Sequence, residues 1–411
     1  MKKLFAITLI LALTMGIIAG CGNNPGPSSS TTSGSTTTST TPPTDSNVSA
    51  PPSASPGESE SPAAIPNVLD EREILLVIMR NLWTDYQGVA IGNVVENVIS
   101  PNFNIRVDFM TLDGSTAENV IAGTENAVAM GADIIISGIA DGLEQSCRIA
   151  QQAGAAFGLA YVVPPPGEND RLLQFDNWLG TVVNSVDGFT NGYNAGKAII
   201  EDGHDNFAIV SFTRGLLSSA DLRVDGFLQA VNEAGRNVVF ELYEMPGPGV
   251  TVAVSTMLQS FGDEIGYIFA QAGGLNFVGP ALTQSGMSIP VYSPNLPNDY
   301  ETFFAEGFLD YINTFNNSIF ALHIALGINY LNGTPLPRMP DNRFHEVCDV
   351  ILRNAEQTRD FEARAYGPTS YTFSADELKS IIVAYNPDAT YDDFVSISSR
   401  VDYQGIRERL G

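Results

Sequence analysis

The chain reads as an α/β protein of two lobes, each a parallel β-sheet covered by helices, and three observations carry that reading. Short apolar, β-rich runs alternate with amphipathic helices, and the whole alternation comes twice in succession. The helices between the runs are long enough for the crossovers that parallel strands require and hairpins do not. Two successive series call for two sheets. Ligands on open parallel sheets bind beyond the carboxyl ends of the strands, so a cleft between two facing sheets is expected.

Taken in order, Glu73–Met79 is a continuous apolar run of the buried-strand type. It leads to a helix that carries Ile91, Val94, Val95, Val98 and Ile99 on one face at 3.6-residue spacing. Ile105–Met110 is the next strand, and Ser115 is placed to cap a helix through Val120, Ile121, Ala127 and Val128. Strand Ala132–Ser137, helix Gly142–Gln152 and strand Phe157–Val163, which Pro164, Pro165 and Pro166 terminate, complete the first series. The second series begins after Thr181–Asn184 with helix Gly188–Glu201, strand Phe207–Phe212, helix Ser219–Ala234 and strand Val238–Tyr243. Helix Val250–Phe261, strand Gly266–Gln271, helix Leu275–Ser285 and strand Ile289–Tyr292 follow. The tail from Pro335 is less regular, although Ser374 and Glu377 have capping-box spacing ahead of Leu378, Ile381 and Ile382.

Ahead of the body, Lys2 and Lys3 precede an uncharged apolar run, Leu4 to Ile18, which ends in Ile18-Ala19-Gly20-Cys21. A basic start, an apolar stretch and small residues in that order make a secretory signal. The last four residues resemble a lipobox, which implies that the Cys21 thiol receives a diacylglycerol and becomes the new N-terminus. A signal-anchor helix is the competing reading, but the run is short of the roughly 20 residues needed to cross a bilayer. From Gly22 to about Pro66 the chain is built almost wholly of Ser, Thr, Pro, Gly and Asn. Such a segment cannot bury enough apolar surface to offset chain entropy and reads as a flexible tether.

Composition narrows the partners. With 46 Asp and Glu against 20 Lys and Arg, the net charge of −26 repels nucleic acid and anionic lipid. It does not discriminate against a neutral ligand. Cys147, spaced with Leu143 and Ala150 along a helix, reads as a small core residue, and a body of this size does not require a Cys147–Cys348 disulfide. His204, His323 and His345 stand far apart with no companion at metal-ligand spacing, and His323 sits among apolar residues. Nucleophile-elbow and phosphate-loop motifs are missing, and Gly247-Pro248-Gly249 reads as a turn. The sequence therefore calls for no cofactor, no metal and no catalytic residues.

The runs "VDGFTNGYNAGKAII" (Val186–Ile200), "SSADLRVDGFLQAV" (Ser218–Val231), "GYIFAQAGGLNFVGPAL" (Gly266–Leu282) and "LGINYLNGTPLP" (Leu326–Pro337) carry a family resemblance. Together and in this order they resemble the type I periplasmic binding proteins of the ribose-binding group, over about Glu73 to Pro337. The resemblance implies two Rossmann-like lobes joined by a three-segment hinge. Its crossings fall near Val186–Asp187, near Asn313–Thr314 and just after Gly333. The organisation expected on this basis is a signal over 1–20, a tether over 21–70, an N-terminal lobe of 71–186 plus 315–337, and a C-terminal lobe with extension of 187–314 plus 338–411.

The same resemblance nominates a ligand site. Arg223, in the Arg-x2-Gly-Phe pattern, is where the family points an arginine at hydroxyls or a carboxylate; its competing role is a helix-surface salt bridge. Trp83, Asp85 and Tyr86 follow the first strand, where aromatic residues pack on sugar faces, although Asp85 also suits a helix cap and Trp83 a plug into the core. Ser137 ends a strand where asparagine is frequent, and Asp187 and Asn313 lie at hinge crossings. The chain departs from the pattern where carboxylates or amides are usual. It has Ala272 and Gly273, then Ser293, Pro294 and Asn295, and Tyr161 after the fourth strand, with Asp170-Arg171 nearby. An ionised oxygen accepts strong hydrogen bonds from hydroxyls, so these departures leave the ligand class open. The expected function is capture of a small polar solute, of the sugar class, for an ABC permease in the membrane, with the bilayer engaged through acylated Cys21. A sensory receptor of the same fold that signals to a membrane kinase or chemoreceptor is the alternative, and an extracellular enzyme on a related scaffold is the third.

Overall fold

β1 (Ile74–Arg80) is buried at every position except its last, as an apolar run covered on both faces must be. It lies between β2 (Ile105–Thr111) and β3 (Ile134–Ser137) in a parallel sheet. The computed structural model describes residues 65–410 apart from 82–84, 184–187, 216–217, 245–247, 272–274, 295, 298, 315 and 368–370, and gives no side-chain placement at 85–87, 218–219, 248 or 410. The signal, Cys21 and nearly all of the tether lie outside the described residues, as do Trp83, Asp187 and Asn295.

β4 (Ala156–Ala160), β5 (Trp178–Val183) and β11 (Phe344–Glu346) extend the first sheet to the order β11-β5-β4-β3-β1-β2. The second sheet has the order β12-β10-β9-β8-β6-β7. Its strands are β6 (Phe207–Phe212), β7 (Val238–Glu244), β8 (Tyr267–Ala270), β9 (Val291–Ser293), β10 (Leu309–Thr314) and β12 (Val350–Leu352). Among these, β12 alone runs antiparallel to its neighbour.

Several boundaries differ from the sequence expectation. The helix Ala117–Ala129 is capped by Thr116, whose side chain accepts from the Asn119 backbone N–H, and not by Ser115. β4 stops at Ala160 because Tyr161 turns into the left-handed region at φ 75°. β5 interrupts its apolar pattern with Gly180, which has a φ of 102°, and a Cβ there would lie 2.2 Å from the Arg343 carbonyl oxygen. Only glycine lets β11 come in beside β5.

The chain leaves the first sheet after β5 and returns after β10, where the helix Phe320–Leu331 packs into the first core. The expected crossing just after Gly333 is not where the sheets change. Leu336 is still in the first core, β11 pairs with β5, and the crossing is Val347–Asp349, leading into β12. Assigning 338–411 to the C-terminal lobe also needs correction. Phe361, Ala365 and Tyr366 join the second core, Phe373 through Val401 supply apolar residues to the first, and Ile406 returns to the second. Apolar residues on successive short helices decide this placement, since each cluster covers the sheet face it reaches. Cys147 is buried and Cys348 partly so, and the two are not paired.

Candidate functional site

The carboxyl ends of β5, β10 and β11 are the places where the chain passes between the sheets, so the two carboxyl edges adjoin. In the second sheet the registers align Ile209, Phe269, Tyr292 and Tyr311 in one buried row across β6, β8, β9 and β10. Phe269 stacks on Tyr292 with ring centroids 4.6 Å apart, and Tyr292 on Tyr311 at 5.5 Å. Side chains two residues further along each strand share the face. One pleat beyond this aromatic row stand Ser211, Gln271 and Asn313, which are buried polar residues at the carboxyl edge.

Two helices pack on this face over the aromatic row, Gly188–Glu201 through Ala195 and Ile199, and Ser218–Glu233 through Val224, Phe227 and Val231. They approach through reciprocal glycines: a Cβ at Gly192 would lie 1.9 Å from the Arg223 carbonyl oxygen, and one at Gly226 would lie 1.9 Å from that of Phe189. The contact seats Arg223 against the helix that carries Asn191. Asn191 Nδ2 donates to Asp349 Oδ2 at 2.9 Å, which draws in the third crossing segment. The Asn313 side chain stands near both the Asp349 carboxyl and the Tyr292 hydroxyl and favours the charged form of each.

Burial pushes the Asp349 carboxyl up to about 6, opposed by the Asn191 hydrogen bond, the Arg223 charge and the Asn313 hydrogen bond. The Tyr292 phenol is raised by burial and drawn down in part by Arg223. Around them, several buried polar atoms have no hydrogen-bond partner among the described residues: Ser211 Oγ, Gln271 Oε1 and Nε2, Asn191 Oδ1, Arg223 Nε and the Tyr292 oxygen. Leaving one such group unsatisfied costs about 1–3 kcal/mol. Several of them converging on one edge make a surface that hydroxyl groups of a ligand can satisfy.

The first sheet contributes a second group. Arg80 ends β1, and its guanidinium lies over the Tyr161 ring, 4.7 Å from the centroid. Burial lowers the Arg80 value and raises that of the Tyr161 phenol. The phenol donates to the Asn317 carbonyl at 2.9 Å, which ties β4 to the start of the returning helix. Ser137 is engaged in a local turn: its hydroxyl accepts from the Ile139 N–H at 3.1 Å and donates to the Ile139 carbonyl at 2.8 Å.

Of the residues nominated by sequence, Arg223 and Asn313 are brought together, Tyr161 lies at the edge of the first sheet, and Asp85 and Tyr86 begin the helix Asp85–Val94 with side chains outside the description. Sequence reading did not single out Arg80, Asn191, Ser211, Gln271, Tyr292 or Asp349 as site residues. The signal for Ser211, Gln271 and Asn313 was present: alternating apolar residues (Phe207, Ile209; Tyr267, Phe269; Tyr311) end in a polar one on the same face. Asp349 follows no motif.

Nothing in this set pairs a nucleophile with a base. His323 is buried, with burial lowering it to about 4, and its Nε2 lies 3.3 Å from the Gly180 carbonyl. His345 Nδ1 meets the Tyr391 hydroxyl at 2.8 Å. Burial pushes the Cys147 thiol up to about 12. Among the described residues no group of three or more His, Cys, Asp or Glu could hold a metal ion, and no helix is long and apolar enough to cross a membrane.

No protein-family model matches the chain, and no curated protein does. Solved structures do. A sugar ABC transport system substrate-binding protein from Bordetella parapertussis superposes with a TM-score of 0.56 at 18% identity, covering 73% of this chain and 94% of that one. A periplasmic solute-binding protein of an ABC transporter from Actinobacillus succinogenes, with bound D-allose, gives 0.57 at 16%, covering 70% and 100%. The solute-binding protein of a 5-methylthioribose transporter from Thermotoga lettingae gives 0.55 at 14%, covering 79% and 96%. At these identities the likeness establishes a shared fold.

Proposed function

We propose that this chain, which has the fold of the type I periplasmic binding proteins, is an extracytoplasmic solute receptor that captures a sugar or sugar-like compound between its lobes and delivers it to an ABC permease. One observation carries the reading: the buried polar atoms of Ser211, Gln271, Tyr292, Asn191 and Arg223 at the carboxyl edge of the second sheet, which have no hydrogen-bond partner among the described residues. Hydroxyl groups both donate and accept, and a polyol can satisfy such a mixed set where an apolar ligand cannot. The sugars named with the similar structures, D-allose, D-fucose and 5-methylthioribose, support the same class. Closure of the two lobes on the ligand follows ordinary hinge logic: the ligand shifts the equilibrium by as much as it prefers the closed form. The lipobox-like Ile18–Cys21 supports attachment to the outer face of the membrane through a diacylated Cys21, with residues 21–70 as the tether.

The test is a thermal-shift and calorimetric screen of D-allose, D-fucose, D-galactose and 5-methylthioribose, with amino acids and nucleosides as controls. A sugar recovered chemically unchanged after raising the melting temperature supports the reading, whereas binding confined to the controls, or turnover of a bound compound, overturns it. Arg223→Ala should abolish the sugar-induced shift while leaving the unliganded melting temperature nearly unchanged. A collapse of the unliganded melting temperature would instead make Arg223 a structural residue.

A further inference from the structure

We infer that the C-terminal tail is a splint on the hinge, which holds the lobes to a narrow range of angles. After β12 the chain passes between the lobes twice more, and these passages are bonded to two of the hinge crossings and to each other. The inference concerns the ligand-free molecule and goes beyond the sugar reading. The extra passages follow from which core each tail residue enters. Phe361, Ala365 and Tyr366 belong to the second core and Phe373 to the first, so the chain passes back between Tyr366 and Phe373. Val401 still belongs to the first core, whereas Tyr403 packs against the second and Ile406 lies within it, which places the other passage at Val401–Tyr403.

Each passage lies against a crossing. At the crossing after β10, the Asn317 backbone N–H donates to the Tyr366 hydroxyl at 3.0 Å, and Asn316 Nδ2 donates to Thr372 Oγ1 at 2.6 Å. Tyr366 is fixed from both lobes. Its ring meets Phe361 edge-on in the second core, with centroids 5.5 Å apart. Its carbonyl accepts from Asn93 Nδ2 at 2.6 Å, on the helix that sends Ile91 and Val94 into the first core. At the crossing Val347–Asp349, Cys348 Sγ donates to the Ser399 carbonyl at 3.1 Å. Arg409 joins the two passages: its Nη2 donates to the Thr372 carbonyl at 2.7 Å and its Nε to the Arg400 carbonyl at 3.2 Å. The bonds therefore run in one series, from Asn316 through Thr372, Arg409 and Ser399–Arg400 to Cys348. A hinge works because a few residues change φ and ψ freely. Here Asn316, Asn317 and Thr372 are buried, so turning them leaves buried polar groups without partners. A cleft held near one angle also costs an incoming ligand less ordering than one that swings widely.

The angle can be read directly. Nitroxides carried on p-acetylphenylalanine in place of Met130 on the first lobe and Val252 on the second, both exposed, report the interlobe distance by pulsed electron resonance without using the native cysteines. The ligand-free, otherwise wild-type protein should give one narrow peak, with fewer than about a tenth of the molecules at any other distance. Tyr366→Phe combined with Thr372→Val keeps the shape of both side chains and removes only their oxygens. The pair should raise that minor population about fivefold or more while the protein still melts cooperatively. Should the pair fail to fold, Thr372→Val alone is read in the same way. A wild-type distribution spread over two or more populations overturns the inference, and so does an unchanged single peak in a folded variant. Neither measurement involves a sugar, so failure here leaves the capture reading standing, and a failed sugar screen leaves this inference standing.

Discussion

Asp349 gives the molecule a pH dependence whose sign can be worked out. Its folded value of about 6 stands above the ordinary 3.8, so the folded state binds the proton more tightly than the unfolded chain. For a raised carboxyl the stabilising contribution is full below the unfolded value and is lost as pH rises through the folded one. The loss above pH 6 is at most about 3 kcal/mol, taking 1.36 kcal/mol for each pK unit. The groups that face Asp349 are Asn191 and Asn313 as donors, Arg223 as the opposing charge and Glu346 as the like charge. The stability gained by Asp349→Asn should be largest above pH 7 and shrink toward pH 4.5, as read from urea melts across that range. A gain that grows on acidification would contradict the burial of this carboxyl. Single residues were also where sequence reading reached least far. Arg223 and Asn313 were legible because a short motif and a hinge crossing point to them. Asp349 and Asn191 were not, because their meeting joins segments 158 residues apart and leaves no local pattern.

The helix pair packed on the second sheet shows how an element serves the candidate site. Gly192 and Gly226 let the two backbones touch, and a methyl group at either would run into a carbonyl oxygen at 1.9 Å. Backbone cannot yield as a flexible side chain can. Gly192→Ala should cost about 3 kcal/mol or more in denaturant unfolding, and should remove the sugar-induced thermal shift in whatever protein still folds, because Arg223 and Asn191 would part. Stability within 0.5 kcal/mol of wild type, the usual spread for innocuous surface changes, would show that the helices slide apart freely. Helices and long strands were well marked in the sequence: Gly188–Glu201, Phe207–Phe212 and Leu275–Ser285 have the bounds their periodicity and flanking turns suggest. β5, β10, β11 and β12 were not identified as strands. β11 and β12 are only three residues each, too short for an alternating pattern, and β5 carries a glycine that breaks its apolar run.

At the scale of the whole molecule, the tail is what departs most from expectation. Arg409, on the last helix beside the second core, bonds Glu377 on the first-lobe side, donates to the Thr372 carbonyl at 2.7 Å and leaves only 5% of its side chain exposed. Glu377 itself completes the capping box with Ser374. Breaking a buried, hydrogen-bonded ion pair by removing one partner costs about 3 kcal/mol or more. Arg409→Ala should lower the denaturant midpoint accordingly, and Arg409→Lys should recover little of it because one ammonium cannot serve Glu377 and the Thr372 and Arg400 carbonyls in different directions. A neutral outcome for Arg409→Ala would mean that the tail is held by its apolar contacts alone. The two-sheet plan was legible because continuous apolar runs and crossover-length helices repeat over some two hundred residues. The path of the tail was not, since its short amphipathic helices announce burial without saying against which sheet.

That path has a consequence for how the protein is made. The core that begins with Leu69 is finished by Phe373, Leu378, Ile381, Phe394 and Val401, and the other core takes in Ile406, so neither lobe can close over its apolar face from one contiguous stretch of chain. A polypeptide made N-terminus first keeps the first lobe open until Val401 is available to it. Folding of the two lobes then comes as one late event, in which both cores close together.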